Sequence, residues 1–125
     1  MKAFLKNYRQ SPRKVRLVAN LVKGKNVSAG LAELDFLAKR ASLPIKKLLL
    51  SAVANAKQMG LAAENLFLKE LRVDKGVTMK RMRPAAMGSG HRINKRTSHL
   101  MLVLGEQAVK SKKSKVIKKK THRTL

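Results

Sequence analysis

Hydrophobic residues recur at helical spacing in three stretches of the first 60 residues. The longest stretch covers about 44–59, where apolar residues occupy positions i, i+3, i+4, i+7, i+8 and i+11 of one helical face. Gly60 follows this stretch and is a favourable residue for ending a helix. The pattern predicts a long helix at the centre of the core. Its buried face is predicted to carry Ile45, Leu48, Leu49, Ala52, Val53 and Ala56.

Two shorter helices are predicted before it. Ser11 and Pro12 are typical of a helix start, because Ser supplies a capping hydroxyl and Pro fits the first helical position. Gly24 follows the last apolar position of this helix and predicts its end. A second helix is predicted to begin at Ser28. Its apolar face is predicted to carry Leu31, Leu34 and Ala38.

After Gly60 the hydrophobic pattern becomes strand-like. Residues 66–73 alternate imperfectly between apolar and polar positions, and the break between Leu68 and Leu71 indicates a bulge or a later start of the strand. Residues 99–104 form a second apolar run, and residues 2–8 are a candidate for a third strand.

The segment between the two later strands, residues 74–98, has neither a helical period nor the pattern of a buried strand. Loops of this length are uncommon in compact domains and are usually functional or disordered. If the segment is an extended hairpin, each arm of ~10 residues, at ~3.3 Å per residue, projects ~30 Å from the core.

The charged residues are distributed unevenly along the 125-residue chain. It carries 30 Lys and Arg against 6 Asp and Glu, a formal net charge of +24. Residues 33–74 are nearly balanced, whereas 1–32, 75–105 and 107–125 contain no acidic residue. Because so many positively charged side chains repel one another, we expect a polyanion to be the neutralising partner. Residues 1–106 suit a single domain; the Lys-rich tail that follows is predicted to be disordered, since it has too little apolar content to fold alone.

Several classes of protein are disfavoured by what the sequence lacks. The chain contains no Cys, which excludes disulfides, thiolate metal sites and cysteine nucleophiles. Its three His residues are scattered, and it has no phosphate-binding glycine motif, so we expect no enzymatic activity, metal or cofactor. No apolar run reaches the ~18 residues of a membrane-spanning helix, so we expect no membrane insertion.

Residues 79–92 carry the most specific binding signal. This stretch alternates cationic side chains with Met and small residues, and Gly88, Ser89 and Gly90 predict a tight reversal. Arg side chains bind phosphate through planar guanidinium groups and stack on bases. The alternative is a solvated loop, but the length of the stretch and its lack of acidic residues favour a binding role.

Two further groups are candidates for phosphate contacts. Arg9, Arg13, Lys14 and Arg16 surround the start of the first predicted helix, where basic side chains oppose the helix dipole and a bound phosphate would explain them. A solvated helix face is an equally good interpretation. His99 is expected to pack or to contact phosphate rather than to catalyse a reaction.

The sequence resembles the bacterial large-subunit ribosomal proteins of family L22, in one order and with similar spacing from about residue 2 to residue 104. Residues 11–19 (SPRKVRLVA) are similar to the family's first-helix motif, and residues 51–56 (SAVANA) to its third-helix motif. The segments similar to those that frame the family's long hairpin are 73–76, 79–81 and 95–99.

The resemblance implies an α+β fold in which three helices pack on a small three-stranded antiparallel sheet, with an extended hairpin at about 74–98. It implies a structural constituent of the large ribosomal subunit whose hairpin lines the nascent-peptide exit tunnel. The implied partners are large-subunit rRNA, neighbouring large-subunit ribosomal proteins and the nascent polypeptide. The implied location is the bacterial cytoplasm, because the sequence shows no transit-like leader that would favour an organelle.

Two sets of residues are expected to make these contacts. The expected rRNA-binding residues are Arg9, Arg13, Lys14, Arg16, Lys80, Arg81, Arg83, Arg92, Lys95, Arg96 and His99. The expected tunnel-lining residues at the hairpin tip are Met79, Lys80, Arg81, Met82, Met87, Gly88, Ser89, Gly90, His91 and Arg92.

Two other functions are compatible with the charge distribution. A non-ribosomal architectural nucleic-acid-binding protein would need only the two basic termini. A small RNA-processing enzyme or chaperone would use the loop as a clamp. Cosedimentation with large subunits after a high-salt wash separates the first alternative from a ribosomal protein, and RNA turnover by the pure protein would reveal the second.

Overall fold

The computed structural model describes residues 1–106, and the predicted Lys-rich tail, residues 107–125, lies outside the described residues. Three helices follow the first strand, and two long strands follow the helices. In chain order the elements are β1 (Lys2–Tyr8), α1 (Pro12–Val22), α2 (Val27–Phe36), α3 (Ser42–Gln58), β2 (Leu66–Pro84) and β3 (Gly90–Glu106), with short 3₁₀ turns at Ala63–Asn65 and Ala86–Gly88.

The three strands form one antiparallel sheet in the order β1-β3-β2. Alternate residues of the strands, such as Ala3, Leu68 and Leu102, are buried in the same core as the inner faces of the helices. This alternation is typical of an antiparallel sheet that is covered on one face. The register shifts between Leu68 and Glu70, which confirms the predicted bulge. The α+β class and the three-stranded sheet are therefore confirmed.

The first helix begins and ends as predicted, but its start is not capped by a side chain. Pro12 is the first helical residue, and the hydroxyl of Ser11 makes no capping hydrogen bond, so the prediction of a capping hydroxyl is wrong. Pro nevertheless suits this position, because its missing N–H would have no helical partner there.

The second helix differs from the prediction at both ends. Asn26 is its N-cap and Val27 its first residue, one position before the predicted start. The helix ends at Phe36, so Ala38 lies outside it and is exposed, contrary to the predicted apolar face. The reason is the short connection to α3, where the hydroxyl of Ser42 donates to the carbonyl oxygen of Lys39 (2.6 Å), lies 3.0 Å from that of Leu37, and stabilises a turn.

The third helix is the centre of the core, as its hydrophobic period predicts. All six predicted face residues are buried, and Leu49, Ala52 and Ala56 have no exposed surface. The helix starts at Ser42, two residues before the predicted Pro44. Pro is tolerated in this first turn because the first four N–H groups of a helix have no helical acceptor.

The hydrophobic core ends where the sheet narrows to two strands. Val73 of β2 and Leu100 of β3 are the last core residues on their strands in the direction of the hairpin. Beyond them, every residue from Lys80 to Arg92 is exposed. The core thus holds the base of β2 and β3 and leaves their connected ends free.

Candidate nucleic-acid interface

β2 and β3 continue beyond the core as a two-stranded hairpin. Their register runs without a break from the pair Thr78–Arg96 to the pair Pro84–Gly90. These seven residue pairs extend about 23 Å at ~3.3 Å per residue. The extended hairpin predicted for residues 74–98 is therefore present.

The reversal at the tip lies slightly earlier than the sequence predicts. The N–H of Ala85 donates to the carbonyl oxygen of Ser89 (2.9 Å), so the turn spans these residues, and Gly90 is already the first residue of β3. Two residues in the turn, Met87 (φ 58°) and Gly88 (φ 68°), adopt left-handed backbone conformations. Gly88 has the predicted role, whereas the sequence gives no sign that Met87 shares it.

The hairpin presents cations on both of its faces. Paired residues of an antiparallel ribbon share a face, and successive pairs alternate between faces. One face therefore carries Arg81, Arg83 and Lys95, and the other carries Lys80, Arg92 and Arg96. Among residues 1–106, none of these six side chains has a carboxylate within 4.0 Å. The hairpin is thus suited to an environment that is negatively charged on both sides.

A ribbon of this kind gains little stability from its own side chains. A two-stranded hairpin is marginally stable in water unless it packs on something else. Here Met82 is 68% exposed, Met87 is fully exposed, and the large apolar side chains that are half-buried near the base are Met79 and Ile93. The hairpin therefore depends on its attachment to the core at the base, and contacts with a ligand would stabilise it further.

A second basic surface lies at the base of the hairpin. It is a cleft of about 490 Å³ between the start of α1 and the first hairpin residues. Five cationic side chains and no carboxylate line the cleft, together with the uncapped amino end of α1. The lining residues are Ser11, Pro12, Arg13, Lys14, Arg16, Lys75 and Arg96.

The cleft joins two groups that are far apart in the sequence. Arg13, Lys14 and Arg16 come from the predicted group at the start of the first helix, and Arg96 comes from the hairpin. The free N–H groups at a helix start add positive potential, so the cleft as a whole favours a phosphate. Lys75 also lines the cleft but is missing from the residues predicted from the sequence to bind rRNA. The sequence indicates it only through its position in the acid-free stretch after residue 74 and in the hairpin-framing segment 73–76.

Arg16 also ties the first helix to the sheet. Its Nε and one terminal nitrogen both donate to the carbonyl oxygen of Val73, at 3.1 and 2.9 Å. These bonds use two of the five N–H donors of a guanidinium group. The side chain thus fixes the wall of the cleft while retaining donors for a ligand.

The remaining predicted residues lie outside the cleft. Arg9 is exposed in the connection between β1 and α1. His99 is half-buried, and its Nδ1 accepts a hydrogen bond from the backbone N–H of Asn7 at 3.0 Å. Of the two roles expected for His99, the structure shows packing; a contact with phosphate stays a prediction.

The helical side of the molecule has a different charge pattern. Lys25 pairs with Glu33, and Lys46 pairs with Asp35, so the carboxylates of α2 neutralise nearby lysines. Within residues 1–106, no group of His and acidic side chains is placed to bind a metal ion, and no helix is long and apolar enough to cross a membrane. The cleft and the hairpin together hold ten of the described Lys and Arg residues, and none of these ten forms an ion pair within residues 1–106.

Comparison with known proteins gives the family. Residues 3–105 match the family model described as ribosomal protein L22p/L17e. The chain belongs to this family. Members of the L22 family are structural ribosomal proteins, so the resemblance seen in the sequence and the expectation of a non-enzyme are both confirmed.

Three bacterial relatives, each named large ribosomal subunit protein uL22, illustrate the similarity. The chain is 51% identical over 107 residues to the protein of Acholeplasma laidlawii, an alignment that covers 85% of this chain and 96% of the relative. It is 50% identical to that of Flavobacterium johnsoniae (82% and 78% covered). It is 49% identical to that of Desulfitobacterium hafniense (85% and 94% covered).

Proposed function

We propose that this L22-family protein is a structural constituent of the large ribosomal subunit, which binds rRNA through the basic cleft and the hairpin. The observation that carries the proposal is the hairpin itself, which leaves the core with three cations on each face and no acidic residue. A ligand on one side would explain only one basic face. Folded RNA that surrounds the hairpin explains both.

The cleft supports the same ligand by a different geometry. Its five cations and the start of α1 form a concave surface at the point where the hairpin leaves the core. A phosphate backbone bound there would contact the globular part and the first pair of the hairpin together. Such contacts fix the position of a protein on RNA without reading its sequence.

The hairpin tip is proposed to form part of the wall of the nascent-peptide exit tunnel. In this proposal the globular part lies near the tunnel exit, and residues 79–92 reach inward through the rRNA. The exposed side chains of Met82, Met87 and His91 at the end of the ribbon would face the nascent polypeptide. Methionine suits such a wall because it makes weak contacts with many sequences.

Neighbouring large-subunit ribosomal proteins are the remaining proposed partners, and the ribosome of the bacterial cytoplasm is the proposed location. The relatives described above support both, since each carries the name of a large-subunit protein and comes from a bacterium.

Binding to large subunits is the test of the ribosomal proposal. Tagged protein expressed in bacteria should cosediment with the large subunit after a high-salt wash and should crosslink to rRNA from photoreactive residues placed at Arg81, Arg83 and Arg92. Release into the soluble fraction would instead favour an architectural nucleic-acid-binding protein. For the free protein, contacts with ~6–10 phosphates would weaken RNA binding ~10³–10⁵-fold between 50 and 200 mM salt.

The tunnel proposal has its own test. In ribosomes stalled with a nascent chain, a photoreactive residue at Met87 should crosslink to the nascent chain, and one at Lys75 should crosslink to RNA alone. Equal crosslinking of both positions to rRNA, with none to the nascent chain, would remove the tip from the tunnel wall while leaving rRNA binding intact.

A further inference from the structure

The hairpin leaves the core through a transverse row of irregular residues. Between Leu5 and Tyr8, β1 has one residue more than the facing part of β3, and between Lys75 and Thr78, β2 also has one residue more. These two bulges face the same short segment of β3 from opposite sides. Because a bulge bends its strand and increases the local twist, two at one level change the direction of the ribbon there.

Side chains of β3 hold both bulges in place. Thr97 donates from Oγ1 to the carbonyl oxygen of Val77 inside the bulge of β2, at 2.7 Å. Ser98 donates from Oγ to the carbonyl oxygen of Gln10, just after β1, at 2.5 Å. Thr97 is 5% exposed and Ser98 is 0% exposed, so these hydroxyl groups are buried where an unmade hydrogen bond is costly.

The imidazole of His99 connects the two bulges. Its Nδ1 accepts the backbone N–H of Asn7 in the bulge of β1, and Asn7 has a left-handed backbone (φ 56°). On the other side, a Cβ placed on Gly76 in the bulge of β2 would lie 3.2 Å from Cε1 and Nε2 of the same ring. It would also collide with Oγ1 of Thr97. Only a residue without a side chain fits between Thr97 and His99.

We propose that these residues fix the direction of the hairpin in the free protein, before any RNA is bound. The hairpin-base cluster, as we call it, consists of Asn7, Gly76, Thr97, Ser98 and His99. Its members act as positioning residues, because Oγ1 of Thr97, Oγ of Ser98 and Nδ1 of His99 bond within the chain. The cluster thereby aims the cations that lie further out on the hairpin. The inference rests on the proposed function, because direction matters only for a hairpin that enters folded RNA.

A hairpin that is already aimed binds with a smaller loss of conformational freedom than one that must be ordered by its ligand. Because the hairpin is long, a small change of angle at its base displaces its tip by a large distance. A rotation of about 15° at the base moves a tip about 23 Å away by about 6 Å. That displacement exceeds the spacing of neighbouring strands, and it would separate the tip from a fitted cavity.

Distances between two spin labels in the free full-length chain test the inference. The chain has no Cys, so labels attach only at introduced cysteines. His91→Cys reports the hairpin near its tip, and Ser28→Cys or Ser51→Cys provides an exposed reference on α2 or α3. We expect one narrow distance distribution for each pair. A broad or multiple distribution in this parent chain would overturn the inference.

Substitutions in the cluster complete the test. Gly76→Ala should shift the tip distance by about 6 Å or broaden it. Thr97→Val should broaden the distribution, and Thr97→Ser, which restores the hydroxyl, should narrow it again. The matched controls are Gly30→Ala, whose added Cβ meets Leu68 at an ordinary 3.5 Å, and Asn94→Ala, an exposed hairpin residue outside the cluster. Distances that stay unchanged in both cluster variants would overturn the inference.

Thermal unfolding and rRNA binding of the same variants separate the remaining explanations. If the cluster only stabilises the fold, its substitutions should lower the unfolding temperature without moving the tip in the folded chain. If Gly76→Ala does not fold, the comparison of Thr97→Val with Thr97→Ser decides the question. Failure of the parent chain to bind rRNA, with a narrow distance distribution, would contradict the proposed function and leave the hairpin-base inference standing.

Discussion

Arg16 and Lys14 both line the basic cleft, but only Arg16 also holds the fold together. Its two hydrogen bonds to the carbonyl oxygen of Val73 join α1 to β2. We predict that Arg16→Ala lowers the free energy of unfolding by about 1–2 kcal/mol, because a buried carbonyl loses a charged donor. Lys14→Ala should change it by less than about 0.5 kcal/mol, as expected for an exposed side chain. Urea unfolding measures both.

Both residues are also expected to bind phosphate, and rRNA binding measured at several salt concentrations tests this role. If each contacts one phosphate, either substitution should reduce the slope of log affinity against log salt by about 0.7–0.9. Equal losses of stability in the two variants, or unchanged slopes in both, would contradict this division of roles.

The burial of a single residue can be predicted from sequence when it depends only on residues nearby in the chain. The buried face of α3 follows from its helical period alone, because residues three and four apart always lie side by side. Ala38 fits the same period on α2 but is exposed, since the turn built by Ser42 ends the helix first. The cleft residue Lys75 is placed by the way β2 meets α1, which no local pattern contains. Met87 lies in a local turn, but nothing in its residue type indicates a left-handed backbone.

At the scale of elements, the hairpin is expected to be dispensable for folding. Hydrogen-bonded pairs alternate with non-hydrogen-bonded pairs along an antiparallel ribbon. The N–H of Ala85 bonds to Ser89, so Met79 and Lys95, six residues further from the tip on each strand, are also a hydrogen-bonded pair. A two-residue Asn-Gly turn can connect such a pair. We predict that replacing residues 80–94 by Asn-Gly changes the free energy of unfolding by less than about 0.5 kcal/mol, because it removes no buried side chain. Calorimetry and urea unfolding of the two chains measure the difference.

The same deletion should have a large effect on RNA. It removes Lys80, Arg81, Arg83 and Arg92, so the slope of log affinity against log salt should fall by up to about 3–4. The control for charge is the full-length chain in which these four residues are replaced by Gln. Loss of cooperative unfolding in the shortened chain would show that the hairpin contributes to the core.

The elements themselves are largely visible in the sequence, but their arrangement is not. The helices, the strands and the bulge after Leu68 follow from local patterns. The two bulges at the hairpin base depend on residues that are distant in the sequence. Thr97 bonds to Val77, 20 positions away, and His99 bonds to Asn7, 92 positions away. The cleft has the same origin, because two of the residues that line it, Arg13 and Arg96, are 83 positions apart in the sequence.

At the scale of the whole molecule, the positive charge far exceeds what the carboxylates of the chain can neutralise. The formal net charge is +24, and within residues 1–106 the ion pairs involve only Glu33, Asp35 and Glu70 among the acidic residues. Most of the positive charge is therefore unpaired in the free protein, and its self-repulsion destabilises the compact state.

Salt is thus predicted to act in opposite directions on folding and on binding. Raising KCl from about 10 to 100 mM shortens the screening length from about 30 to 10 Å, so repulsion weakens and the Tm of the free protein should rise. Over the same range its affinity for rRNA should fall, because counterions released on binding gain less entropy when they enter a more concentrated salt solution. The chain without residues 80–94 retains a net charge of +20 after losing four cations, and its Tm should rise less. A Tm that falls with salt would show that attraction in the ion pairs outweighs the repulsion, and a constant Tm would show that the two balance; either result would contradict the prediction.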